Sequence, residues 1–397
     1  MRIGMITGEY PPMEGGVGDF THELSRALHA QGHEIHILTT SLSSTPPYLT
    51  ENGLNVYRQI DDWGWGIHTR INQWVETVKP ELLNLQYQAA AYQMKGQVLL
   101  YPRQRSSAIP LVVTYHDLLP PYLFPKAGPL RQWSVRQLAQ RSNGVIVTNP
   151  GDYDALTQQF AHLATPMQLI PIGSNIAPEP PPGYTPADWR AAHGFAPDDL
   201  LIGFFGFLNR SKGVETLLEA LNRLHEAEAP AHLIFIGGRT GTSDVTNAAY
   251  ADEIDHAVVY LDLEEYVHHT GFAAPAEVSA ALLAVDVCAL PYRDGASLRH
   301  GTLHAALAHG CAIVTTTPQD EMLQLRDDEN VVLFPPDDPA ALTEAIHRLW
   351  RDPEARARLG RGAVALAQEF SWDAIAARTA AFFATLTATP GGSARTP

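Results

Sequence analysis

Residues 291–316 read PYRDGASLRHGTLHAALAHGCAIVTT. A strand closing on Ala289-Leu290-Pro291 runs into a loop of small and turn-forming residues, Asp294-Gly295-Ala296-Ser297. A helix opens near Gly301-Thr302 and continues through Ala305, Ala306, Leu307 and Ala308. Gly310 stops it, and the β-branched run Ile313-Val314-Thr315-Thr316 makes the next strand. The first amides of such a helix have no intrahelical partner, and the helix dipole is positive there, so the terminus suits an anion. The same pattern also fits an ordinary βαβ crossover without a ligand.

Upstream, the pattern repeats. Residues 200–206 (LLIGFFG) read as a strand, 207–213 as a loop and 214–226 as a helix. Strands follow at 232–236, ending in Gly237-Gly238, and at 267–270, turning at Gly271-Phe272. A helix at 277–283 leads to the strand at 287–290. Helices at 339–351 and 353–368 come next, and Ser371 is placed to cap a last one. The first half has the same plan. Strands are expected at 3–7, 33–40, 81–87, 111–114, 145–148 and 167–172. Helices are expected at 19–30, 66–78, 93–103 and 129–140, with another opening at Asn149. The proline-rich run APEPPPGYTPAD, 177–188, reads as a stiff connector between the halves. The fold class is therefore α/β, with two Rossmann-like lobes facing a central cleft. Residues 1–176 and 189–370 form the lobes, and 371–388 is a C-terminal helix packing back toward the first. Residues 389–397 are a disordered tail.

Composition narrows the function. A chain of 397 residues is long for one core. A net charge of −16 argues against a nucleic-acid partner and leaves at most a peripheral membrane contact. The two cysteines, Cys288 and Cys311, lie in apolar runs and read as buried thiols. The first residues lack the apolar core of a signal peptide and no apolar run is of membrane-spanning length, so a cytoplasmic location is expected.

Gly15, Gly16 and Gly18 let backbone approach a ligand closely. The spacing is GGVG, not GxGxxG, and the second strand ends in Thr39-Thr40 with no ribose-binding carboxylate, which argues against a nicotinamide site. His116 and Asp117 end a strand at the edge where open α/β sheets bind ligands. Asp152-Tyr153-Asp154 has the form of a DxD metal motif, but carboxylates in a first helical turn are accounted for by capping. His300 and His304, four apart, read as helix-surface histidines rather than metal ligands.

Several motifs occur together in order: Gly8-Glu9-Tyr10-Pro11-Pro12 with Gly15-Gly16-Val17-Gly18, His116-Asp117, Ile170 to Ser174, Lys212-Gly213, Thr270-Gly271-Phe272, the Gly301–Gly310 helix and Phe370-Ser371-Trp372. In this the chain resembles the family 4 glycosyltransferases of GT-B fold over nearly its whole length. The resemblance implies retaining transfer of a sugar from a UDP- or GDP-sugar to a glycan, lipid or small-molecule acceptor, with no cofactor and no essential metal. By it, the C-terminal lobe holds the donor. His116, Lys212 and Arg299 are the expected catalytic residues. Gly16, Gly18, Gly237, Gly238, Gly271, Phe272, Ser297, Gly301 and Thr302 are expected to bind the donor, and Glu9, Asp19 and Asp117 to lie on the acceptor side. Lysine and helix amides aimed at a departing diphosphate would stabilise the charge that develops on it.

The chain departs from the family pattern in two places. Ser297 and Ala305 stand where members commonly carry a pair of glutamates, the second of which usually holds the ribose. Phe207 follows Gly206 where an arginine is common, and Arg299 stands where phenylalanine is common. The two read as an exchange across one cleft, with Arg299 as the second cation on the diphosphate; a solvated surface arginine is the plain alternative. His304, beside Ala305, is a candidate for the ribose contact. The competing readings are a non-catalytic sugar-nucleotide or glycan-binding protein and a nucleotide-sugar epimerase on the same fold.

Overall fold

The computed structural model describes residues 1–13, 15–121, 128–159, 165–238, 245–319 and 322–387. The tail expected at 389–397 lies outside them. The chain divides into two compact units, Met1–Gly173 with Ser371–Pro397, and Ser174–Phe370.

In the first unit the elements run β1 (Arg2–Ile6), α1 (Gly16–Ala30), β2 (Glu34–Thr40), β3 (Tyr48–Glu51), β4 (Leu54–Ile60), α2 (Ile67–Val78), β5 (Leu82–Tyr87), α3 (Tyr101–Gln104), β6 (Leu111–Tyr115), α4 (Gly128–Arg141), β7 (Gly144–Val147), α5 (Pro150–Gln159) and β8 (Met167–Leu169). They build one sheet in the order β3-β4-β2-β1-β5-β6-β7-β8. All neighbours are parallel except β3 and β4. The central strands β1, β5 and β6 are almost wholly buried because helices cover both faces. β3 is exposed throughout and forms the edge.

In the second unit come α6 (Pro186–Ala192), β9 (Leu200–Phe205), α7 (Val214–Glu226), β10 (Ala231–Ile236), α8 (Val245–Tyr260), β11 (Val267–His269), α9 (Pro275–Ala284), β12 (Val287–Leu290), α10 (Gly301–Ala308), β13 (Ile313–Thr316), β14 (Val332–Phe334), α11 (Pro339–Arg351) and α12 (Pro353–Ala367). Its sheet order is β11-β10-β9-β12-β13-β14, all parallel. In α7, Val214, Leu217, Leu218, Leu221 and Leu224 recur at helical spacing and are buried in the core under the sheet. α13 (Trp372–Thr387) returns to the first unit, where Ile375, Phe382 and Phe383 share a core with Ile3, Leu24 and Ile37. Ser371 Oγ accepts from Ala374 N at 3.3 Å at its start.

Four local expectations are corrected. The helix expected at 93–103 is absent as such. Gln93 and Met94 take positive φ in a turn, and helical structure resumes as a 3₁₀ segment, Gln97–Leu100, followed by the short α3. The helix expected from residue 19 begins at Gly16, so the glycines form its first turn. The connector expected at 177–188 belongs to the second unit: the Tyr184 hydroxyl donates to Ala280 O at 2.8 Å, and α6 opens at Pro186. His304 is not on the surface; it is 2% exposed, with Nε2 2.9 Å from Leu298 O and its ring edge-on to Phe370.

Candidate active site

The second unit assembles a cavity of about 320 Å³ from strand ends and one helix start. β9 delivers Phe205, Gly206 and Phe207. The chain then makes a tight turn in which Asn209 Oδ1 accepts from Ser211 N at 3.1 Å. Gly213 follows at φ 63°; a Cβ there would lie 2.1 Å from Pro291 O. Only glycine fits both the left-handed backbone and that close approach. This turn aims Arg210 and Lys212 differently. Arg210 leaves the site and forks onto Glu253 at 2.6 Å. Lys212 enters the cavity, with Nζ 4.5 Å from the centroid of the Tyr292 ring.

Tyr292 is fully buried just past β12, and its hydroxyl is 2.7 Å from Thr302 Oγ1 in the first turn of α10. The His300 ring stacks on Tyr292 at 3.8 Å between centroids, with Nε2 4.0 Å from Asp294. Burial pushes the Lys212 amine down to about 8, against the opposing pull of the Asp294 carboxylate. Burial also pushes His300 down to about 3, helped by the positive charge of Lys212 and, to a smaller extent, of Arg299. His300 is therefore neutral at physiological pH, and Lys212 is a cation poised to lose its proton just above it.

β10 ends next to Gly237, whose amide donates to Thr270 Oγ1 at 2.9 Å and which bridges to Gly271. Gly238 and Phe272 complete this wall of the cavity. Of the residues expected from sequence, the catalytic candidate Lys212 and the donor-binding candidates Gly237, Gly238, Phe272 and Thr302 thus line one space, and Gly271 backs it. Gly301 is exposed at the helix start, and a Cβ added there would meet nothing within 4 Å. Ser297 faces its own loop, its Oγ accepting from Arg299 N at 3.3 Å and its carbonyl from His300 N at 3.0 Å. Arg299 is exposed and is not among the residues lining the cavity. Ala305 is wholly buried in the apolar core, and His304 packs beside it against Phe370, so neither lines the cavity. Arg293 is held by Asp337 at 3.0 Å and Glu215 at 3.6 Å. Tyr292 and His300 were missed as site residues; the aromatic directly after a buried strand, in PYRDG, was the available signal.

The first unit holds the other expected residues. Glu9 Oε1 accepts from Val17 N at 3.0 Å and from Gly18 N at 3.2 Å, so a carboxylate fills the amide donors at the start of α1. A Cβ on Gly15 would lie 2.3 Å from that carboxylate, while one on Gly16 meets open space. Asp19 lies in the same first turn, complementing the helix dipole. His116 Nε2 is 2.9 Å from Gln86 Oε1, and Gln86 Nε2 donates to Asn84 Oδ1 at 2.5 Å. With its nitrogen turned to Asn84 Oδ1, the Gln86 amide presents its oxygen to His116; an amide oxygen only accepts, so the His116 proton sits on Nε2. The ring packs edge-on to Phe20 at 4.7 Å, and burial pushes its pKa down to about 3. Asp117 Oδ1 accepts from Leu119 N at 3.0 Å. In the DxD-like stretch, Asp152 and Asn149 bond each other reciprocally at the start of α5, which is a capping arrangement. Among the described residues no group of three or more His, Cys, Asp or Glu is placed to hold a metal ion.

Comparison with known proteins agrees with this architecture. Residues 199–352 match the family model for glycosyl transferases group 1, and residues 15–173 match the glycosyl transferase 4-like domain. A D-inositol 3-phosphate glycosyltransferase of Xylanimonas cellulosilytica is 25% identical over 95% of this chain and 94% of its own length. Among solved structures, sucrose-phosphate synthase from Thermosynechococcus elongatus superposes with a TM-score of 0.75 at 22% identity, covering 98% of this chain and 99% of that one. Anabaena HepE in complex with UDP-glucose gives 0.72 at 19%, covering 97% and 100%. The chain belongs to the group 1, family 4-like glycosyltransferases and has the GT-B fold. Among the described residues no helix is long and apolar enough to cross a membrane.

Proposed function

We propose that the chain transfers a sugar from a nucleoside diphosphate-sugar, UDP- or GDP-linked, to a glycan, lipid or small-molecule acceptor, with retention at the anomeric carbon and without a metal ion. The observation that carries this reading is Lys212. It is a half-buried cation held over Tyr292, and Tyr292 in turn bonds the first turn of α10. In this reading the diphosphate lies between Lys212 and the amides at Gly301 and Thr302. As the anomeric C–O bond breaks, negative charge grows on the β-phosphate, and these fixed donors stabilise it more than they stabilise the intact donor. Neutral His116 faces the transferred sugar as a polar, uncharged contact, and Glu9, Asp19 and Asp117 serve the acceptor side. Arg299 is assigned the second cation, reaching the diphosphate from the residue before His300. The HepE structure with bound UDP-glucose supports the donor class.

The test is release of nucleoside diphosphate from a panel of UDP-, GDP- and ADP-sugars, with and without chelator, in wild type and Lys212→Ala. Turnover of one donor, insensitive to chelator and lost in Lys212→Ala, is the expected result. Ser297 and Ala305 favour one second reading, a protein that binds sugar nucleotides without turning them over. Tight nucleotide binding with no turnover of any donor in the panel would select it.

A further inference from the structure

Two large apolar side chains stand exposed beside the cavity. Phe207 is 49% and Phe272 86% exposed. Single exposed aromatics are ordinary on a protein surface, but these two flank the same glycine. A Cβ on Gly238 would lie 3.3 Å from Phe207 Cε1 and 3.8 Å from Phe272 Cδ2. Both rings line the cavity that Lys212 also lines. A ligand spanning that space meets a cation and, apart from it, two aromatic rings with accessible surface.

We propose that Phe207, at a position where the family commonly carries an arginine, is a stacking wall for the nucleobase of the donor, acting with Phe272 across Gly238. This rests on the donor-site reading above. An aromatic face suits any base, because every base has a π-face, and offset stacking adds to the burial of apolar area. The lack of a side chain at Gly238 leaves the gap between the rings open. Free pyrophosphate, which has no base, gains nothing from Phe207.

Calorimetric titration of wild type, Phe207→Leu and Phe207→Trp with UDP, GDP and inorganic pyrophosphate tests this. Phe207→Leu is expected to weaken the nucleoside diphosphate that binds by about five- to a hundredfold and to leave pyrophosphate within about twofold. Phe207→Trp is expected to retain nucleotide affinity. Nucleotide binding unchanged in Phe207→Leu, or pyrophosphate weakened as much as nucleotide, overturns the assignment while leaving the donor site standing. A wild type that binds neither nucleotide overturns the donor-site reading, and this assignment with it.

Discussion

Lys212 and Thr302 lie on different segments and are joined through one side chain: Tyr292 places its ring 4.5 Å from Lys212 Nζ and its hydroxyl 2.7 Å from Thr302 Oγ1. The loop after β9 and the start of α10 are thus positioned together by a buried aromatic. Tyr292→Phe removes the hydroxyl bond alone and should cost about 1 kcal/mol of stability, with less than about tenfold loss in kcat/KM. Tyr292→Ala empties a fully buried site and should cost about 3–5 kcal/mol. Denaturant unfolding beside steady-state rates separates the two effects.

Lys212→Ala should lower kcat/KM for the donor by about two to three orders of magnitude, because the cation acts on charge that grows in the transition state. Lys212→Arg should recover little, since a planar fork does not reproduce a point charge seated on a ring. Folding of both variants is checked by their thermal midpoints, which should move little for a side chain whose charge burial opposes.

Donor binding should weaken as the Lys212 amine loses its proton. Its pKa is lowered to about 8, so the cation is nearly fully present below about pH 7 and fades above about pH 8. The donor dissociation constant should be flat between about pH 6 and 7 and rise toward about tenfold per unit well above 8. A profile still flat at about pH 9 would place the binding energy elsewhere.

Acid should destabilise the first unit through His116. Its folded pKa, about 3, lies below the ordinary value of about 6.5, so the unfolded chain takes up a proton that the folded chain refuses. The neutral ring costs nothing above about pH 6.5; below it, stability falls by about 1.4 kcal/mol per pH unit until about pH 3. At about pH 5 the loss is about 2 kcal/mol. His116→Gln should flatten that slope in urea titrations at about pH 7 and pH 5. An unchanged slope would assign the acid sensitivity to other groups.

Glu9 caps α1 from outside the helix. Glu9→Ala leaves the Val17 and Gly18 amides without their partner and should cost about 1–2 kcal/mol. Glu9→Gln keeps an acceptor and should cost less. Gly15→Ala should be worse than either, because its methyl occupies the carboxylate's place. Hydrogen exchange at Val17 and Gly18 gives the direct readout.

Much of this was legible in the sequence, and what was not has physical causes. The doubly repeated strand–helix plan came from buried runs of β-branched residues and from helical periodicity, which tertiary packing reinforces. Some missed elements carried readable signals. Asn52-Gly53 turns the β3–β4 hairpin, both residues at positive φ. Tyr250, Ile254 and Val258 mark the buried stripe of α8. Thr185 caps α6 by accepting from Asp188 N at 3.1 Å, a signal hidden among prolines. Other features were not readable. That Arg210 turns away while Lys212 turns in is set by Glu253 and Tyr292, which are distant in sequence. His304 sits one helical turn from His300, yet its burial depends on Phe370.

Lys212 is expected to hold the donor's diphosphate. A structure of the protein with the nucleoside diphosphate released from its preferred donor measures this directly. Lys212 Nζ is expected within about 4 Å of a β-phosphate oxygen, with the phosphate against the amides of Gly301 and Thr302. A diphosphate bound elsewhere, with Lys212 still seated on Tyr292, would contradict it.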